Sequence, residues 1–180
     1  MRAQMQANRG RALEELIELA NNQYLVQGRA VIHKVPTEWI PVRDGTGKIR
    51  TAKVERKAAV DFIGAYGGQP IAFDAKETRA DRIRWDRVEL HQQKFLECWH
   101  RAGGIAFVIV GFMARERFFV VPWPVWRRGL ERWRDERGPA SVSYLEFVDW
   151  GCEAPSVLEY LSVVDKVWGT RYGGDHRMTC

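Results

Sequence analysis

Apolar residues at Leu13, Leu16, Ile17, Ala20 and Tyr24 recur at steps of three and four along the chain. That spacing lines one helical face and predicts a helix from Arg9 to about Tyr24. The pattern then changes. "RAVIHKV", Arg29 to Val35, is rich in β-branched residues and predicts a strand that Pro36 stops. "VDFIGAY" and "PIAFDAKET" predict two consecutive strands joined at Gly67-Gly68. Helical spacing returns from Val88 to Ala102, with Val88, Phe95, Trp99 and Ala102 on one stripe and Gln92 on the same inward face. "GIAFVIVGFM" and "RFFVVPW" predict two buried strands, the second ending at Pro122. "PVWRRGLERWRDERG" predicts a short amphipathic helix with proline at its start and glycine at its end. A last helix is predicted from about Pro155 to Trp168. Helix, strands, helix, strands and helices in that order give an α/β (α+β) domain, a mixed sheet flanked by helices.

One stretch fits neither period. "PTEWIPVRDGTGKIRTAKVERKAA" holds a strong hairpin turn, "RDGTGK", between two extended arms with few apolar residues. Between Arg43 and Lys57 stand six basic and two acidic residues. With little to bury, this hairpin reads as a projecting basic arm, with an ordinary surface hairpin as the equal alternative. Charge over the whole chain sharpens the picture. The formal net charge is +5, yet residues 1–60 hold 11 Lys and Arg against 6 Asp and Glu, and residues 61–180 hold 17 of each. The excess sits in the first third, which suits an anionic partner such as nucleic acid or an acidic membrane, or equally a solvated basic surface. The 180 residues, 46% hydrophobic and 28% charged, fit one folded domain and exclude disorder. We expect a loose segment at 1–8 and a single domain over 9–180, with the arm at about 36–58. Cys98, Cys152 and Cys180 form no CxxC or Cys/His cluster, so disulfide scaffolds and structural zinc are not expected. The N-terminus lacks the apolar core of a signal peptide, and the longest apolar run is too short to span a bilayer. The expectation is a soluble cytoplasmic protein with no membrane partner.

Chemistry concentrates at "VDFIGAYGGQPIAFDAKET". Alternation along a strand turns Asp74 and Lys76 to one face and Phe73 and Ala75 to the other. Ile71 and Phe73 then face the core and the two charges face a cleft, with Asp61 on the neighbouring strand. Two carboxylates at short range repel unless a cation bridges them. Mg²⁺ suits such oxygens and keeps positions for water and phosphate. A lysine beside them stabilises charge on a phosphate or helps generate hydroxide. This is the layout of metal-assisted phosphodiester hydrolysis. The spacing alone is common, and its position behind a basic arm gives it weight. Gln92 is a candidate ligand through its amide oxygen. Glu14, flanked by Glu15 and Glu18, is a candidate extra carboxylate. His91, alone at a helix start, fits a cap or a surface residue better than a general base. No Ser/His/Asp set, P-loop or GxGxxG is present.

Taken together, "NRGRALEELIELANNQYLVQGRAVIHKVPTEW", "VDFIGAYGGQPIAFDAKET", "HQ" at 91–92 and "GGIAFVIVGF" resemble the RecU family of Holliday junction resolvases. The likeness runs from about Asn8 to Val121, in order and with similar spacing. It implies a restriction-endonuclease-like fold, a homodimer, and Mg²⁺-dependent cutting of four-way DNA junctions in recombination and repair, with Mn²⁺ as a substitute ion. It implies that the segment around Arg43 to Lys57 is a stalk entering the junction centre, with Arg43, Lys48, Arg50, Lys53, Arg56 and Lys57 as DNA contacts. It implies metal carboxylates at Asp61 and Asp74, a transition-state lysine at Lys76 and a glutamine ligand at Gln92.

Two positions depart from the family pattern. Ala59 stands where the family has threonine, and Asp74 stands where it favours glutamate. They motivate an alternative, a catalytically weak module that holds junctions or a recombinase partner. A third reading is a related nuclease acting on other branched DNA.

Overall fold

The structure, a computed structural model, describes residues 11–150 and 152–169, with the side chains of 11, 38–41 and 52–56 outside the description. The expected loose segment 1–8 and Cys180 lie outside the described residues.

Helix α1 (Arg11–Val26) buries Leu13, Ile17, Ala20 and Tyr24 as one stripe. Strand β1 (Ala30–Lys34) follows, then the hairpin of β2 (Glu38–Arg43) and β3 (Ile49–Arg56). Strands β4 (Phe62–Tyr66) and β5 (Gln69–Thr78) come next, then β6 (Arg82–Arg84), a 3-10 turn (Trp85–Arg87) and α2 (Leu90–Arg101). After β7 (Ile105–Phe112) and β8 (Arg117–Pro122) the chain forms α3 (Trp123–Asp135), β9 (Ser141–Ser143) and α4 (Tyr144–Trp150). It ends with β10 (Glu153–Ala154), a second 3-10 turn (Val157–Glu159) and α5 (Tyr160–Trp168).

Six strands form one mixed sheet in the order β1-β4-β5-β7-β8-β10. Its only parallel pair is β5 with β7, joined through α2; the other neighbours run antiparallel. The expected mixed sheet flanked by helices is therefore what forms. β7 is buried at every position, as a central strand covered on both faces must be. Ile71, Phe73, Ile105, Phe107 and Ile109 pack with α1 and α5 on one face. Ala72, Ala106, Val108 and Val110 pack with α2, α3 and α4 on the other. Trp123 and Trp126 are fully enclosed there, which makes the tryptophan-rich helix a core element.

Two devices fix the register that matters for chemistry. Gly67 and Gly68 both take positive φ, 56° and 76°, as a two-residue hairpin turn with the twist of its strands requires. Phe62, Phe73 and Phe107 stack across β4, β5 and β7, with centroids 5.0 and 4.6 Å apart. A slip of one residue would send that stack and its neighbours to opposite faces.

Several boundaries shift. The α2 stripe differs from the expected one: Val88 is buried just ahead of the helix, Leu96 fills its centre and Ala102 is exposed. The expected last helix is a 3-10 turn followed by α5, because Val157 and Tyr160 both turn into the α1 face of the core. β2 and β3 pair as a two-stranded sheet separate from the main one. Among the described residues no helix is long and apolar enough to cross a membrane.

Gly64 pairs with Ile32 in β1 and Ile71 in β5. A Cβ there would overlap the Val31 carbonyl. Gly64→Ala should therefore destabilise the fold by about 3 kcal/mol, read as a lower midpoint in denaturant. Gly45→Ala, with nothing within 4 Å of its added carbon, should leave the midpoint unchanged.

Candidate active site

Asp61 sits one residue ahead of β4, and the Phe62–Phe73 pairing brings it to the side of β5. The Ala75 N–H donates to Asp61 Oδ2 at 2.8 Å, and the Val35 N–H donates to the Asp61 carbonyl at 2.8 Å. Asp61 is thus held at both ends. In an extended strand the N–H and C=O of one residue point the same way, so the Ala75 carbonyl faces the Asp61 side too.

Asp74 was expected to face a cleft. It is instead 0% exposed, because α2 covers its face of the sheet. Two cavities of about 380 Å³ lie elsewhere, one against Trp85 and Trp150 and the other against His100 and Trp168. Asp74 Oδ1 accepts from Gln92 Nε2 at 2.6 Å. Asp74 Oδ2 lies 2.5 Å from Lys76 Nζ but makes no aligned hydrogen bond. Burial raises the Asp74 pKa first; Lys76 pulls it down, Asp61 pushes it up, and the outcome lies well above the ordinary carboxylate range. For Lys76, burial disfavours the ammonium, but Asp74 and Asp61 outweigh it and its pKa ends raised. Lys76 is therefore a firm cation, better suited to stabilising charge than to removing a proton.

Glu14 belongs to the same field. Burial raises its pKa, Lys34 opposes this through a hydrogen bond, and Asp61 adds to the rise. Lys34 Nζ lies 3.0 Å from Glu14 Oε2 and 2.5 Å from Glu18 Oε1. So the expected extra carboxylate stands beside the pair, with a lysine already on it.

The donor set fits a hard divalent ion. With both acids ionised, Asp61, Asp74 and Lys76 would sum to one negative charge, and Asp74 Oδ2 has no aligned donor. Among the described residues no three His, Cys, Asp or Glu form a closed metal cage. A two-carboxylate site leaves positions open for water and a phosphate oxygen, as Mg²⁺ prefers. Gln92 lies against Asp74 at the start of α2. Its amide oxygen accepts the Glu89 N–H at 2.9 Å as half of a capping box, and its nitrogen faces Asp74. A carboxylate only accepts, so it draws the NH₂ end. Coordination through the oxygen would require the amide to turn and release Glu89.

The hairpin cations are placed unequally. Arg50 is 79% exposed on its side chain, 3.9 Å from Asp44. Arg43 Nη1 bonds the Gly47 carbonyl across the turn, and Lys48 donates its backbone N–H to Asp44. Lys57 is paired with Glu89 at 2.6 Å. The Lys53 and Arg56 side chains lie outside the described residues. Three contributors went unnoticed in the sequence: Lys34, Glu89, and Glu77, whose Oε2 accepts the Leu13 N–H at 3.1 Å and caps α1. The Glu89-x-x-Gln92 spacing is a capping-box signal that would have exposed one of them.

The model of the family described as recombination protein U matches residues 8–166. The chain is 34% identical to a Holliday junction resolvase RecU of Leuconostoc mesenteroides over 169 residues, 88% of this chain and 81% of that protein. It is 32% identical to one of Lactobacillus delbrueckii over 177 residues, 92% and 83% of the two chains. It is 36% identical to one of Streptococcus pneumoniae over 122 residues, 64% and 62%. A match over residues 8–166, which include Asp61, Asp74 and Lys76, makes this chain a member of the RecU family.

Proposed function

We propose that this protein is a structure-selective DNA endonuclease that resolves four-way junctions with a divalent ion, Mg²⁺ or Mn²⁺. The observation that carries the reading is the buried Asp74–Lys76 pair beside Asp61, in a chain whose relatives are named Holliday junction resolvases.

Asp61 and Asp74 would hold the ion, with the Ala75 carbonyl on the same side. The ion would neutralise developing charge and lower the pKa of a water. Lys76 stays protonated and donates toward the non-bridging oxygens, where negative charge grows. Ala75 fixes one Asp61 oxygen through its N–H, so that carboxylate keeps its orientation as charge moves. Glu14 adds negative potential and is held back by Lys34. The exposed hairpin cations supply salt-sensitive phosphate contacts, and selection of the junction follows from its shape. A twofold homodimer would present two such sites to opposed strands, giving paired nicks.

On a labelled synthetic junction with Mg²⁺, Lys76→Ala should slow cleavage by about 10²–10³-fold while gel-shift affinity stays near wild type. Junction binding without cleavage by the wild type in both Mg²⁺ and Mn²⁺ would instead establish a junction-holding module. Lys48→Glu with Arg50→Glu should lose junction affinity and flatten its salt dependence by about two phosphate contacts, with an unchanged melting temperature.

The raised pKa of Asp74 gives two signed expectations. The folded state keeps a proton on Asp74 that the unfolded chain gives up at lower pH. Metal-free stability from this group is thus full below the ordinary carboxylate range and is lost as pH rises through the raised value. A divalent ion binds only the ionised pair, so Mg²⁺ should raise the melting temperature more as pH rises, and not at all in Asp74→Asn. Lys76→Met removes the cation that lowers this pKa, so residual cleavage should begin at higher pH than in wild type.

A further inference from the structure

The root of the hairpin is tied to the helix that holds Asp74. Lys57, the first residue after β3, places Nζ 2.6 Å from Glu89 Oε2. The Ala58 carbonyl meets His91 Nε2 at 3.1 Å. A carbonyl only accepts, so that ring nitrogen carries the hydrogen. His91 Nδ1 stands 3.5 Å from the same Glu89 carboxylate. Glu89 and His91 lie at the start of α2, and the next residue is Gln92, which bonds Glu89 with one end of its amide and Asp74 with the other. In the opposite direction the chain runs through Ala59 and Val60 straight to Asp61. Both carboxylates therefore hang from one joint, Asp61 through the backbone and Asp74 through the first turn of α2.

The strengths of these links differ in a useful way. The Lys57 and Glu89 side chains are both more than half exposed, so their pair adds little to stability. The fold has no need of it, and a DNA phosphate competes well for the same ammonium. The His91–Ala58 bond is half-buried and does not depend on that exchange.

We propose that His91 is a positioning residue that, with Glu89, clamps the hairpin root to α2, so that seating of the hairpin in branched DNA sets the placement of Asp61 and Asp74. As the hairpin seats, Lys57 passes from Glu89 to a backbone phosphate, and the His91–Ala58 bond keeps the joint closed. Cutting then follows the shape of the substrate rather than the mere presence of a phosphodiester. This inference rests on the endonuclease reading.

The test compares wild type, His91→Ala and His91→Gln, whose amide N–H still reaches a carbonyl, on a synthetic junction. Metal-free gel-shift affinity should stay within about twofold, since no phosphate contact is removed. Single-turnover cleavage at saturating protein should fall by about tenfold or more in His91→Ala and recover in His91→Gln. An unchanged rate overturns the clamp, as do equal losses of rate and affinity, or failure of His91→Gln to recover. Amide exchange separates this from failure of the activity itself. Metal-free junction should slow exchange at residues 88–93 in wild type and not in His91→Ala, whether or not the wild type cuts. Equal slowing in both proteins, or slowing confined to the hairpin, overturns the proposal.

Discussion

A carboxylate with no exposed surface is costly unless something answers its charge, and among the described residues Asp74 has Lys76 and one amide to do so. Asp61 makes the problem worse by adding a second negative charge nearby. Lys76 is itself nearly enclosed, so it depends on the two acids as much as they depend on it. Such a group of charges is poor as a stability device. Its cost has to be met by the structure that holds it. The rest of the site can be read as support for that unbalanced group.

The support comes from the sheet. The Phe62–Phe73–Phe107 stack runs beside the acids, with Phe62 next to Asp61 and Phe73 next to Asp74 in the chain. Apolar packing on one face therefore sets the spacing of charge on the other. Around this, glycine at 64 lets β1 lie close, and Glu77 at the end of β5 fastens the first turn of α1, which brings Glu14 into range.

Much of this was legible in the sequence because it is written in local pattern. The α1 stripe, the Gly67-Gly68 turn, the apolar β7 and the D-x-K alternation all follow from periods of two or three to four residues. Asp74 and Lys76 were correctly placed on one face by that alternation. What alternation could not tell is that α2 folds over the same face and closes the expected cleft, since burial is decided by an element 16 residues further on. The orientation of the Gln92 amide is likewise set by tertiary contacts, with its oxygen on the Glu89 N–H and its nitrogen on Asp74. Helix α4 was missed although Ser143 and Glu146 form a reciprocal cap at its start. Its short span, seven residues, left too few apolar repeats to show a period.

The two ends of the described chain close on each other. Tyr24 Oη donates to the Leu158 carbonyl, and Tyr160 Oη donates to Asn21 Oδ1, contacts that span 134 and 139 positions. The cap on α1 comes from 64 residues downstream. On the ribosome, α1 emerges early but lacks both its cap and its cover until most of the domain has followed. The helix that carries Glu14 is therefore among the last pieces to settle, although it is among the first to be made.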